Sequence, residues 1–359
     1  MIVPHQLAAT DSRYSMRSVR KVAFVGQPEY FQACYENDLD DLYQVGSFPL
    51  RFNPALDMEA DVSTMSDLLA FNPDITVFFR GEYINSSLIS GLSGIKIGYS
   101  TEPFPKLINK RFHYTRDSIN RFKFFLRFSE RKFDFTFHYD EASRSFIELM
   151  GIRLSGYQPL PVATQTWRPP SSPVPKKWDI VFLGRSTPHR EQFFGLLKRD
   201  LQFLHIAHGI NGKDAMAYYN AGRIALNIHA ETELSWESRV QVLMACGTLV
   251  VSEPLSPNAY IEVDRHYVEA SSAADLYEKC RKILLYENEY EAMRAAARDI
   301  VGKKLSAHTV FPSLFQACVS GCFPKPSYDL HRVRLAPLEV CAEYGGFEHL
   351  LDQLANEHV

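Results

Sequence analysis

The sequence predicts an α/β protein with two doubly wound, Rossmann-like domains that face each other across a cleft. Short apolar runs alternate with helical segments along the chain, which is typical of parallel strands buried on both faces. A proline-rich stretch, RPPSSPVPKK at 168–177, interrupts this alternation once and predicts a stiff linker. Because 359 residues exceed one ordinary core, we predict domains at 1–167 and 178–320, followed by a helical tail at 321–359.

Eight apolar runs mark the predicted strands, and helical patterns separate them. The predicted strands are 22–25, 75–79, 95–99 and 133–137 in the N-terminal half, and 180–183, 203–206, 224–228 and 249–251 in the C-terminal half. The predicted helices are 66–71, 141–150, 189–198, 213–219, 274–286 and 290–301, with another in the tail at 338–358. This order predicts two parallel sheets whose strands end at a shared cleft, the place where open α/β sheets bind ligands.

Composition and charge narrow the class of protein. Hydrophobic residues make up 46% and charged residues 23%, as in an ordinary globular protein, and the net charge of −3 gives no reason to expect nucleic-acid binding. No apolar run approaches the roughly 18 residues that cross a bilayer, and the start of the chain lacks a signal-peptide pattern. Six cysteines in so long a chain do not indicate a disulfide framework. We therefore expect a cytoplasmic protein, with no metal site predicted.

Residues 223–254 form the most informative segment. An apolar strand ends in Asn-Ile-His, a polar loop and a helix follow, and a second apolar strand ends in Ser-Glu-Pro. Burying polar groups at the carboxyl ends of parallel strands costs free energy unless the groups are solvated or bind a ligand. The candidate ligand-binding residues here are Asn227, His229, Glu237, Arg239 and Glu253. Each has an ordinary structural alternative. His229 could be a hydrogen-bonded structural residue, Glu237 and Arg239 could form an ion pair at a helix start, and Glu253 could belong to a simple turn.

The turn after the first strand of the second domain predicts an anion site. Gly184 permits close approach of the backbone to a ligand, and the next helix begins near His189. Arg185 and Arg190 add positive charge at that helix N-terminus. A diphosphate is an anion that such a turn could hold, but neither a G-x-G-x-x-G fingerprint nor a P-loop is present, so a dinucleotide-binding fold or a P-loop is not supported. The alternative is a strand-helix turn with surface arginines.

Polar sets also follow three strands of the N-terminal half. Glu102, His138 and Asp140 are the candidate bases for deprotonating an acceptor hydroxyl, because each follows a predicted strand on the cleft side. Asp140 has an ordinary alternative as the cap of the next helix.

A basic and aromatic segment spans residues 106–132. Its nine basic residues are Lys106, Lys110, Arg111, Arg116, Arg121, Lys123, Arg127, Arg131 and Lys132. A basic amphipathic helix can lie on an anionic membrane or meet a phosphate-bearing acceptor, which makes a peripheral position at the inner membrane face an alternative to a purely cytoplasmic one. The ordinary alternative is a helix with its aromatic face in the core and its basic face in water.

In these motifs the chain resembles the GT-B glycosyltransferases of the group-1 type, especially the CgeB-like branch related to family 4. The resemblance is best from 178 to about 315 and covers the Gly184 turn, the 224–229 strand end, Arg239 with the following Ala-Cys-Gly, and the 250–253 strand end. It implies a nucleotide-sugar donor on the C-terminal domain, with Arg185 or Arg190 on the diphosphate and Asn227 and Glu253 on nucleotide or sugar. It also implies a hydroxyl acceptor on the N-terminal domain and transfer without a bound metal.

One departure from the family concerns its paired glutamates. The second of them lies just before the Ala-x-Ala-x-Gly helix end, where this chain has Val242. The ribose contact of that glutamate must come from elsewhere, with Glu237 as the candidate, or be absent, and the stereochemistry stays open. We expect transfer to a glycan, glycolipid or protein-linked glycan of the kind used in bacterial polysaccharide assembly. The alternatives are a GT-B nucleotide-sugar epimerase and a non-catalytic sugar-nucleotide-binding protein.

Overall fold

Two parallel sheets organise the chain in a computed structural model, which describes residues 19–50, 62–210 and 212–333. The first sheet is six-stranded, with the order β2-β1-β3-β4-β7-β9. Its strands are β1 (Lys21–Gly26), β2 (Gln44–Pro49), β3 (Ile75–Phe79), β4 (Ile95–Ser100), β7 (Phe135–His138) and β9 (Gly156–Tyr157). A hairpin of β5 (Lys106–Ile108) and β6 (Arg111–His113) lies outside this sheet, and β8 (Ile152–Arg153) pairs with β15 (Ser327–Tyr328).

The second sheet is five-stranded, with the order β11-β10-β12-β13-β14. Its strands are β10 (Trp178–Leu183), β11 (Phe203–Ile206), β12 (Gly222–Asn227), β13 (Leu249–Ser252) and β14 (Val268–Glu269), all paired in parallel.

Eleven α-helices connect the strands in the part of the chain that the structure describes. They are α1 (Pro28–Phe31), α2 (Val62–Phe71), α3 (Ser86–Gly91), α4 (Arg116–Phe125), α5 (Arg144–Leu149), α6 (Pro188–Asp200), α7 (Gly212–Ala221), α8 (Arg239–Ala245), α9 (Ala273–Leu285), α10 (Glu291–Ile300) and α11 (Ala307–Val319). None of the helices within these described ranges is both long and apolar enough to cross a membrane.

The central strands of both sheets are apolar because helices cover both faces. Every residue of β3 is buried, and separate apolar clusters lie on the two sides of each sheet. The prediction of an α/β fold with parallel sheets is therefore confirmed. The predicted tail helix at 338–358 lies outside the described residues.

Helix α11 returns from the second sheet to pack on the first. Phe311 lies 5.0 Å from Phe24 of β1, measured between ring centroids, and Leu314 and Phe315 belong to the same apolar cluster. Val162 pairs with Ser306 where the chain crosses back. The domain boundaries stay a prediction, and this packing favours a crossing near residue 306 rather than 320.

The loops after β7, β12 and β13 meet where the two sheets face each other. The Tyr139 hydroxyl lies 3.2 Å from the Ser235 hydroxyl, and the Ser256 hydroxyl donates to an Asp140 carboxylate oxygen at 2.9 Å. These contacts bring the carboxyl ends of both sets of strands to one cleft, which is the place predicted for a ligand.

Candidate functional site

The turn from β10 into α6 fixes a buried guanidinium. Gly184 has a φ of +154°, and Thr187 caps α6 by accepting a hydrogen bond from the backbone N–H of Arg190 at 3.2 Å. The Arg190 side chain then donates from Nε to the Ile228 carbonyl and from Nη1 to the Arg185 carbonyl, each at 2.9 Å. Only 3% of Arg190 is exposed, so its charge is held in one orientation.

A second arginine approaches the same place from α8. The guanidinium carbons of Arg190 and Arg239 each lie 5.0 Å from the centre of the Phe182 ring. Burial, followed by the charge of Arg239, lowers the pKa of Arg190 to about 10, which leaves it cationic at neutral pH. Nη1 of Arg239 is buried and has no hydrogen-bond partner among the residues that the structure describes. Two close cations at a helix N-terminus form an environment that an anion would stabilise.

Glu253 connects α6 to the end of β12. One carboxylate oxygen lies 2.9 Å from Nε2 of His189, and the other accepts the backbone N–H of His229 at 2.7 Å. The His189 ring is held on its other side by Thr232, whose hydroxyl lies 3.3 Å from Nδ1. Glu253 therefore supports the strand ends, and a ligand would compete with His189 for the first oxygen.

His229 and Glu237 form an ion pair beside Arg239. Nδ1 of His229 lies 3.4 Å from Glu237, whose other oxygen lies 3.2 Å from Arg239. Burial alone would raise the pKa of Glu237, but Arg239 and His229 outweigh it and lower that pKa to about 2. Burial would lower the pKa of His229, but Glu237 and Glu253 raise it above its usual value. Glu237 thus lies between His229 and Arg239, and its negative charge favours the cationic form of each neighbour.

Asn227 lies beneath this surface rather than on it. Its side chain is fully buried and donates to the Ser252 hydroxyl at 2.9 Å, which ties β12 to β13. The Asn227 Oδ1 is buried and accepts no hydrogen bond from any residue in the described ranges. The geometry favours a structural role for Asn227 over the predicted ligand contact.

Glu102 is held between two arginines on the opposite wall of the cleft. Arg80 and Arg121 both contact its carboxylate. Arg80 sits in the left-handed region at a φ of +60° and also bonds Glu82 at 2.6 Å. Because both oxygens of Glu102 already meet guanidinium groups, the carboxylate is a poor proton acceptor in this conformation. Its predicted role as a base stays a prediction that the contacts do not favour.

His138 and Asp140 are buried rather than presented to the cleft. The His138 ring stacks on Phe104 at 4.3 Å, and burial, followed by Lys106, lowers its pKa well below the usual value. Asp140 caps the following turn by accepting the Ala142 N–H and pairs with Lys106 at 3.2 Å, where both side chains are at most 2% exposed. Asp140 therefore acts as the cap that the sequence analysis gave as its ordinary alternative. Both His138 and Asp140 support the fold, and their predicted role as bases is not favoured.

Glu233, which the sequence analysis did not list as a site residue, lies beside His229 and Glu237. Glu233, in the loop after β12, is partly exposed, and burial raises its pKa while Lys106 and Arg121 of the other wall lower it. The Nδ1 or Nε2 of His229 and carboxylate oxygens of Glu233 and Glu237 lie within 4.8 Å of one another. The only sequence signal for Glu233 was its place among polar residues after β12, and for Lys106 and Arg121 it was the basic segment.

The comparisons with known proteins agree with this geometry. Residues 184–311 match the family model described as glycosyl transferase-like. Anabaena HepE, solved in complex with UDP and glucose, has a TM-score of 0.56 and 11% identity, with 84% of this chain and 100% of that chain covered. The chain has the GT-B glycosyltransferase fold. Two further solved structures with this fold are also similar to the chain.

The first is sucrose-phosphate synthase from Thermosynechococcus elongatus, with a TM-score of 0.54, 11% identity, and coverage of 84% of this chain and 100% of that one. The second is an alpha-glucosyltransferase in complex with UDP and DNA, with a TM-score of 0.57, 12% identity, and coverage of 85% and 100%. No curated protein matches this chain in sequence. The similarity therefore establishes the GT-B fold, and the CgeB-like branch stays a prediction.

The segment that matches the family model, 184–311, contains Arg185, Arg190 and Arg239 at the carboxyl end of the second sheet. It begins at Gly184 and includes α8, where Val242 is partly buried against the apolar cluster beneath the helix. The Val242 side chain therefore offers no polar atom toward a ligand, and Glu237 lies two residues before the helix with its charge already paired to Arg239.

Proposed function

We propose that this GT-B protein transfers a sugar from a nucleotide-sugar donor, held by the second sheet, to a hydroxyl of a glycan or glycolipid acceptor, bound on the first-sheet side. The observation that carries the proposal is the pair of arginines, Arg190 of α6 and Arg239 of α8, that share the Phe182 ring beside the turn into α6. Departure of a nucleoside diphosphate leaves negative charge on its terminal phosphate, and donors fixed in advance lower the barrier to that step. Arg190 is fixed in this sense by its two carbonyl acceptors.

Arg185 supplies the third positive charge of the donor site. It follows Gly184 directly and influences the pKa of Asp117 on the opposite wall. Arg185 is exposed, so its charge is available to a ligand at this turn. We assign Arg185, Arg190 and Arg239 to the diphosphate.

Glu233 is our candidate for the group that accepts the proton of the acceptor hydroxyl. It is partly exposed in the cleft and has a raised pKa, which brings a carboxylate closer to the range of an efficient base. The charges of Lys106 and Arg121 act on Glu233 and partly offset the effect of burial on its pKa. Unlike Glu102, Glu233 is not clamped between two guanidinium groups.

We further propose that transfer proceeds without a bound metal. The cluster of His229, Glu233 and Glu237 offers three ligand atoms, but Arg239 already neutralises Glu237, and the raised pKa of His229 favours its cationic form. A divalent cation would have to displace both positive charges. The arginines supply the charge that a cation would otherwise give to the leaving group.

The test is a thermal-shift screen of the purified chain against UDP-, GDP-, CMP- and dTDP-sugars, followed by assay of nucleoside diphosphate release with and without a chelator. We expect one nucleotide class to stabilise the protein and turnover to survive chelation. No shift with any nucleotide would refute the proposal, and turnover abolished by the chelator would refute its metal-independent form. A shift without turnover would indicate a binding protein, and sugar interconversion without an acceptor would indicate an epimerase.

A further inference from the structure

Positive charge is concentrated in one segment of a chain that is otherwise acidic. Residues 106–132 contain nine lysines and arginines against Asp117 and Glu130, while the chain as a whole carries −3. Charge separated to this degree produces a local positive field on a protein whose remaining surface repels anions.

The structure divides these basic residues into two groups. Lys106 pairs with Asp140, Arg121 contacts Glu102, and Arg131 bonds the Ser86 hydroxyl, so these three belong to the interior or to the cleft. Only part of the basic segment is therefore available on the surface. The remaining six, which are exposed or partly exposed, are Lys110, Arg111, Arg116, Lys123, Arg127 and Lys132.

Helix α4 presents part of the second group on its outward face. Its buried residues, Ser118, Ile119, Phe122 and Phe125, lie on the side that packs into the core. Arg116 and Lys123 are seven residues apart, which places them on the opposite side of the helix, and Arg127 follows in the 3-10 turn Leu126–Glu130 directly after α4. We call Arg116, Lys123, Phe124 and Arg127 the basic face.

Phe124 distinguishes the basic face from an ordinary solvated helix surface. Its side chain is 42% exposed, although the neighbouring Phe122 and Phe125 are buried. The Arg127 guanidinium lies over the Phe124 ring at 5.1 Å, so charge and aromatic surface are contiguous. An aromatic ring beside cations suits the interfacial region of a bilayer, where the ring sits among headgroups and the cations meet lipid phosphates.

We propose that the basic face docks this protein on an anionic phospholipid surface. The same helix carries Asp117 and Arg121 toward the cleft, so docking there would place the acceptor wall beside the lipid. A nucleic acid would also meet the charge, but it offers no apolar layer for Phe124, and the acidic remainder of the protein would repel a long polyanion. The proposal concerns binding alone and stands apart from the proposed transfer.

The experiment is vesicle flotation of the full chain, comparing phosphatidylcholine vesicles with and without phosphatidylglycerol. We expect binding only to the anionic vesicles and a decrease with added salt, since each Lys or Arg near such a surface contributes about a fivefold gain in binding. Reversing the charge of two residues, as Arg116→Glu with Lys123→Glu, should weaken binding at least about 25-fold on the same basis. Phe124→Ser should weaken binding even at low salt, because it removes apolar contact rather than charge.

The matched control is Arg281→Glu with Lys282→Glu, which reverses two exposed charges on α9 of the other domain. This control should bind anionic vesicles like the unchanged protein, and circular dichroism should show all variants folded. Equal binding to neutral vesicles, an equal loss in the α9 control, or binding to duplex DNA without binding to vesicles would each overturn the proposal.

Discussion

Replacement of Arg190 by alanine separates donor binding from folding, provided that a matched arginine is replaced in parallel. Arg190 donates to two backbone carbonyls at 2.9 Å and is 3% exposed. A hydrogen bond to a charged partner contributes about 1.5–3 kcal/mol, so loss of the phosphate contact should raise the Kd for a nucleoside diphosphate roughly 10- to 150-fold. The two abandoned carbonyls should also lower the free energy of unfolding by about 1–3 kcal/mol each.

Arg223 supplies the control for that structural cost. It bonds Glu287 at 2.7 Å and the Leu284 carbonyl at 2.8 Å, so Arg223→Ala also removes a guanidinium from two partly exposed acceptors, which lie in α9 and in the turn after it. It lies near the start of β12, whereas the site lies at the other end of that strand, four residues or roughly 13 Å away. Arg223→Ala should lower stability, since it too removes charged hydrogen bonds, and leave the Kd unchanged.

The assay is calorimetric titration of both variants with the nucleoside diphosphate found by screening, at a temperature where chemical denaturation shows both folded. An unchanged Kd in Arg190→Ala would show that the diphosphate binds elsewhere. An equal rise in the Kd of Arg223→Ala would show that general destabilisation, rather than a lost phosphate contact, explains the effect.

Substitution or titration of three residues near the cleft gives further predictions. Lys106→Met should destabilise the fold by about 3–5 kcal/mol in denaturant titration, because it leaves the Asp140 carboxylate buried without a counter-charge; a loss below about 1 kcal/mol would contradict this. Glu233→Gln should lower kcat at least about 100-fold with an unchanged donor Kd, while Glu231→Gln in the same loop, which is exposed, should leave kcat unaltered; equal rates in both variants would remove Glu233 from the mechanism. Burial lowers the pKa of His138 in the folded protein. Below about pH 6.5 the imidazole is protonated in the unfolded chain but not in the folded protein, so this residue makes the free energy of unfolding fall as pH decreases. Ring NMR should show neutral His138 at pH 6, and a protonated ring would contradict the burial argument.

The strands that the sequence predicts best are the buried central ones. Apolar runs such as 75–79 and 249–251 are continuous because both faces of the sheet are covered, and this signal is local. The edge strand β2 was missed because its sequence QVGSFP is mixed and mostly not buried. The return of α11 to the first sheet was missed as well, since only its packing against Phe24 reveals it.

The candidate site shows a similar division between what is local and what is not. Gly184 and Arg190 could be proposed from the sequence because a strand end, a glycine and a helix start are adjacent in it. The Glu253 carboxylate is bonded to His189, which is 64 residues away in sequence. The Asp140 carboxylate is bonded to Lys106 and Ser256, which are also distant in sequence. A polar residue after a strand looks the same in sequence whether it is buried or free, so the sequence could not tell Asp140 from Glu233.

The most direct test of the donor site is a crystal structure of the chain with the nucleoside diphosphate that stabilises it. We predict that the diphosphate lies at the N-terminus of α6, with its oxygens about 3 Å from the guanidinium nitrogens of Arg185, Arg190 or Arg239. A diphosphate bound elsewhere, or one held through a divalent cation on His229, Glu233 and Glu237, would contradict the account.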